Sequence, residues 1–221
     1  MSGYVHYNKV SGINAVAVGK RDSEIDIADG SGNLIHAGTT IVATGAEINA
    51  AADLSAQDSM VPGVGFKGTG TVLESSVVQH GGIIKTEMII DLTGTVTSSG
   101  DTFILGASGG GVAYIGQITA AKNGTTLMAG QITCLETPAT GDPDIDLYSA
   151  TQGTGATSTL VTSLTETPLL SSGASWSASV TPVIMSALPV ANSYLYLTTG
   201  TAFGSIATYT AGRFLIELWA V

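Results

Sequence analysis

The chain has 221 residues, enough for one domain or for a body with an extension. Its composition is 44% hydrophobic and only 11% charged, which excludes a wholly disordered tail, since disorder needs few apolar groups and many charges. The net charge of −10, from 17 acidic against 7 basic groups, disfavours partners that are phosphate backbones or anionic membrane surfaces.

Residues 1–28 read as extended. Val5, Val10, Ile13, Val16 and Val18 are irregularly spaced and interrupted by Gly3, Gly12 and Gly19. Ile25 and Ile27 alternate with acidic neighbours as in a short strand. The N-terminus, MSGYVHYNKV, has no apolar core of a signal peptide, and no run reaches 18 apolar residues, so synthesis in a cytoplasm without a membrane span is expected. Residues 29–43 are Gly/Ser-rich and extended. Thr44 and Glu47 then form a capping box ahead of an alanine run, which predicts a short helix near 44–53. Pro62, Gly63 and Gly65 break the chain. The expected organisation is an extended N-terminal arm over 1–62, carrying that one helix, and a β body over 63–221.

Within the body, Ile84, Thr86, Met88, Ile90 and Leu92 share one strand face, with Lys85, Glu87 and Asp91 on the other beside Ile83 and Ile89. Residues 102–105 form a short apolar run. Runs 112–120 and 125–135 flank Asn123-Gly124, a strong hairpin signal because both turn positions need positive φ. Residues 145–148, 160–164, 175–185, 194–198 and 213–221 supply further strands. QGTGATS at 152–158 reads as a flexible surface tip. The last strand places Phe214, Ile216 and Leu218 on one face, and Glu217 and Trp219 on the other. Short strands separated by Gly, Pro, Asn and Asp, with no helical period between them, predict an all-β fold: an antiparallel β-sandwich or jelly-roll-like body.

Several motifs touch on chemistry. Gly63-Val-Gly65-Phe-Lys-Gly68 matches G-x-G-x-x-G, but a dinucleotide loop needs a helix after it and a β run follows. Gly106-Ala-Ser108-Gly-Gly110 matches the nucleophile elbow, yet β sequence follows and His6, His36 and His80 all precede the serine, so we read it as a turn. Asp142, Asp144 and Asp146 recur at period 2; a hard cation such as calcium could bridge two of them, and a solvated outer strand face is the favoured reading. Cys134 is the single cysteine and reads as a buried, inert thiol; with scattered histidines it leaves no zinc ligand set. Asn123-Gly-Thr125 is a formal glycosylation sequon that here marks a turn. Tyr194, Tyr196, Tyr209, Phe214 and Trp219 read as core and subunit-interface residues, with a carbohydrate platform as the alternative. No catalytic set and no cofactor are expected.

Two stretches carry a resemblance. SGNLIHAGTTIVATGAEINAAAD, residues 31–53, resembles a segment of virion structural proteins of tailed bacteriophages, marine ones especially, in which T-[AG]-A-E-[IL]-N follows a Gly/Ser-rich strand. YLYLTTGTAFGSIATYTAGRFLIELWA, residues 194–220, resembles the closing hairpin of similar head and fibre proteins. The resemblance implies a non-enzymatic virion protein: a decoration (cement) protein on the capsid exterior, bound to the major capsid protein and oligomeric, as a trimer with a dimer as the fallback. The alternative it implies is a head-fibre or tail-fibre domain that binds host glycans. Lys9, Lys20 and Arg21, three of the seven basic residues, lie in the first 21 positions and are the candidate capsid-attachment residues.

Overall fold

A computed structural model describes residues 34–36, 39–41, 60–171, 173–200 and 204–221. The chain divides into two units, Met1–Leu54 and Ser55–Val221. In the first, β1 (Leu34–His36) and β2 (Thr39–Ile41) pair antiparallel, with Leu34 opposite Ile41. The Thr44/Glu47 helix and the basic trio Lys9, Lys20 and Arg21 lie outside the described residues.

The second unit is nearly all β. In chain order it has β3 (Val72–His80), β4 (Ile83–Asp91), β5 (Gly116–Gln117), helix α1 (Ala120–Asn123), β6 (Leu127–Ala139), β7 (Ile145–Ala150), a 3₁₀ turn at Val161–Ser163, β8 (Glu166–Leu170), β9 (Val183–Ile184), β10 (Tyr194–Thr199) and β11 (Ala211–Ala220). Two antiparallel sheets result, of order β5-β10-β7-β8 and β3-β4-β11-β6-β9. Their facing side chains form one core, a sandwich-like arrangement. Met88, Ile90, Ile132, Phe214 and Ile216 enter it from the larger sheet, and Ile145, Leu147, Leu195 and Leu197 from the smaller. Met60, in the stretch expected to be arm, is buried in the same core.

The alternation read on β4 and β11 is present. Thr86, Met88 and Ile90 are buried, as are Phe214, Ile216 and Leu218. The hairpin β3–β4 closes at Gly81 and Gly82, whose φ angles of 56° and 91° give the doubly positive two-residue turn that matches strand twist.

Five local expectations are corrected. Asn123-Gly124 is not a hairpin tip: Asn123 ends α1, and its side chain accepts from Thr119 N at 2.9 Å and donates to Thr86 Oγ1 at 2.9 Å. The buried amide is spent on a cap and a core hydrogen bond, so the flanking runs go to different sheets. Residues 194–220 are not a closing hairpin, because β10 pairs with β5 and β7 while β11 pairs with β4 and β6. The 152–158 loop is not a free tip: Tyr196 Oη donates to Gln152 O at 2.8 Å and accepts from Gly155 N at 3.2 Å, and Gly155 O takes the Ala113 N–H at 2.8 Å. Residues 160–164 hold the 3₁₀ turn rather than a strand, and of 175–185 only β9 pairs.

Candidate functional site

Both glycine motifs turn out to be backbone-packing devices. Gly63 N and Gly65 N donate to Tyr114 O at 2.8 Å and Val112 O at 2.7 Å, and Ala107 N donates to Gly65 O at 2.7 Å. A Cβ at Gly65 would run into the Gly111 backbone, and one at Gly68 into Gly94. The G-x-G-x-x-G segment is thus laced between two other stretches of main chain, with no helix N-terminus for a phosphate. Ser108 sits exposed on a turn whose Gly110 N returns to Ala107 O at 2.9 Å. The two motifs border one open cleft of about 480 Å³, walled by Lys67, Gly68, Thr69, Gly94, Ser108 and Thr208 among others. His80 is at the β3–β4 hairpin, paired with Ile83, and not among those walls. Among the described residues no histidine lines this cleft, so none there stands beside Ser108 as an imidazole base to raise its nucleophilicity.

The aspartates correct a second reading. Asp142, Asp144 and Asp146 are 2%, 1% and 1% exposed, so they do not form a solvated face. Asp146 lies on β7, which is covered on both sides, all six of its residues being buried; Asp142 and Asp144 precede that strand and are buried in the turn that leads into it. Asp142 Oδ1 accepts from Asp144 N at 2.9 Å, and the Asp144 carboxylate lies against Gly200. Tyr209 Oη donates to Asp142 O at 2.8 Å; burial, with the Asp142 charge behind it, pushes the phenol far above its ordinary range. Among the described residues no three carboxylate, histidine or cysteine groups are arranged to hold a metal ion. Cys134 is 1% exposed, and burial raises its thiol. No helix among the described residues is long and apolar enough to cross a membrane.

The most organised polar surface is the outer face of the larger sheet. Its members were visible as polar positions in the sequence, but not their convergence. Lys85 Nζ lies 2.7 Å from Glu87 Oε1 and 2.8 Å from Glu217 Oε1, and 5.5 Å above the Trp219 ring. Gln131 Nε2 donates to the other Glu217 oxygen. Arg213 meets Asp91 at 2.9 Å. Burial pushes Glu217 up, but hydrogen bonds from Lys85 and Gln131 outweigh it and hold the carboxyl below its ordinary value. Asp91 is likewise lowered, with burial opposed by Arg213 and Thr93, and Lys85 is raised by Glu217 and Glu87. A lowered carboxyl stabilises above its unfolded pKa and loses that contribution as pH falls through the folded value. Stability is therefore expected to drop on acidification below about pH 4. Lys85→Met should cost about 1 kcal/mol at neutral pH and flatten this acid limb. Urea midpoints measured from neutral pH to pH 3 check it, and identical acid limbs in the two proteins would refute it.

The half-buried aromatics gather at the other sheet. Tyr114 and Tyr194 have ring centroids 4.9 Å apart at 57°, and Tyr114 meets Tyr196 edge-on at 6.4 Å. Tyr114 also walls a smaller cleft of about 190 Å³ with Gln117, Thr119 and Lys122. Tyr196, Tyr209 and Phe214 are core residues, whereas Trp219 stays half-exposed under Lys85. No family model matches this chain, and no curated protein or solved structure matches it either.

Proposed function

We propose that this protein is a capsid decoration (cement) protein of a tailed bacteriophage, a non-enzymatic subunit that binds the outside of the head shell and stabilises it. The observation that carries the reading is TGAEIN at residues 44–49, set behind a Gly/Ser-rich run, which resembles virion structural proteins. Physical support comes from the body, a single two-sheet core with an acidic chain around it. The partner is the major capsid protein, and Lys9, Lys20 and Arg21 are the attachment residues, oppositely charged to an acidic shell surface. Burial of apolar surface at each repeated contact would stabilise both partners by mass action.

The test is co-sedimentation of the full chain with undecorated heads. Reversing Lys9, Lys20 and Arg21 to Glu is expected to weaken binding by on the order of tenfold at low salt and much less at high salt, because exposed ion pairs are screened. Failure of the unaltered chain to bind heads would overturn the reading. Equal binding by the reversed chain at both salts would remove the basic trio from it.

A second reading, a fibre domain that binds host glycans, is favoured by the Tyr114–Tyr194 pair beside a cleft with amide and ammonium groups. Sugar faces stack on such rings. Binding to a glycan array that Tyr114→Ala abolishes would support it over decoration.

A further inference from the structure

The four sheet edges of the body are built differently. β5 and β9 are two residues long, and β8 contains Pro168. Short strands and proline are the usual means of blunting an edge against pairing with another chain. β3 has neither. It runs nine residues, VLESSVVQH, in unbroken register with β4, with Glu74 as its single acidic or basic-headed residue besides the terminal His80. Among the described residues no backbone hydrogen bond reaches its outer edge; Met60 N approaches only the Ser75 hydroxyl, on the core side. Exposed apolar side chains gather beside this edge: Val72 at 45%, Val78 at 39%, Ile83 at 46% and Ile89 at 37%.

We propose that β3 is a strand-addition surface whose occupant is β3 of a second copy, joined antiparallel about a two-fold axis at Ser76. The strand is self-complementary in that register. Centring on Ser76 pairs all nine residues: Val72 with His80, Glu74 with Val78, and Ser76 with itself. Even-numbered residues meet even-numbered ones, so the core faces of both sheets stay on one side and the outer faces on the other. Centring on Glu74 would set two carboxylates directly opposite, which destabilises in a chain already at −10. The Ser76 register keeps each Glu74 across from a valine. Two five-stranded sheets then become one of ten, and the apolar row at the edge is shared by both copies. An isologous contact of this kind closes at two, which selects the dimer over the trimer that the resemblance implies. The inference stands apart from the decoration reading, since it is tested without heads.

The experiment uses the full chain with single cysteines introduced, the native Cys134 being buried. Paired residues across an antiparallel ladder have Cβ atoms about 4.5–5.5 Å apart, within reach of a short bifunctional thiol-reactive cross-linker. Ser76→Cys is expected to link to itself. Glu74→Cys and Val78→Cys should link poorly alone and well when mixed, and a control thiol at the exposed Thr162 should not link. Sedimentation velocity at micromolar concentration should show a dimer. A monomer or a trimer overturns the proposal, as does a dimer that fails to link through Ser76 or that links equally through Thr162→Cys.

Discussion

Gly65→Ala is expected to leave little folded body. The added Cβ would occupy the space of the Gly111 main chain, and both sides of the clash are backbone. No rotamer change relieves it. The stretches must part, which breaks the Gly65 N to Val112 O and Ala107 N to Gly65 O bonds and uncovers Phe66, fully buried next door. Overpacking combined with lost buried hydrogen bonds belongs to the largest class of substitutions, on the order of 4–5 kcal/mol. That is a large share of a domain's total of roughly 5–15 kcal/mol. Gly109→Ala is the matched control. Gly109 has a φ of 67° but nothing within 4 Å of an added Cβ, so its substitution should cost only about 1–2 kcal/mol for the left-handed backbone. Urea unfolding of the two variants side by side gives the comparison. Equal midpoints would mean that the close approach is not what requires glycine at 65.

Trp176→Ala should be nearly as damaging. The indole bridges the sheets: Nε1 donates to Ile145 O in β7 at 2.7 Å, and the ring stands edge-on to Phe214 of β11 with centroids 5.5 Å apart. Truncation removes a large buried ring and leaves a buried carbonyl without its donor. The expected loss is about 3–5 kcal/mol. Trp176→Phe separates the two contributions, keeping a ring for Phe214 while dropping the donor, and should cost about 1–3 kcal/mol. A Trp176→Ala protein with an unchanged denaturant midpoint would show that the segment before β9 is a loose flap rather than a clamp on the core.

The sequence was most readable where a strand has one buried face. On β4 and β11 the residues expected inward are inward, because water on one side enforces the alternation. The period-2 aspartates misled for the opposite reason: Asp146 is on β7, whose two faces are both covered, and Asp142 and Asp144 lie in a buried turn ahead of it rather than on a strand. Local turn chemistry was ambiguous in a specific way. Asn123-Gly124 and Gly81-Gly82 both carry residues suited to positive φ, and only the second makes a hairpin. The first is claimed by Thr119 and Thr86, the latter 37 residues away in sequence. Similarly, Lys85, Glu87 and Glu217 were legible as outward polar residues. Their meeting depends on β4 and β11 being neighbours, which local pattern does not encode. The β run after G-x-G-x-x-G argues against a dinucleotide loop from sequence alone, but the use of its glycines for main-chain approach needs the partner backbone to be seen.

The placement of β11 between β4 and β6 bears on how the protein is made. Arg213 reaches Asp91 across 122 positions of sequence. Until residues 211–220 have left the ribosome, the β3–β4 hairpin and the β6 strand have no common neighbour, and each presents an open edge and an uncovered apolar face to solvent. The larger sheet therefore closes in a single late step, slow because its pairings are distant. Nascent chains halted before Ala211 are the species for which a holding chaperone matters most.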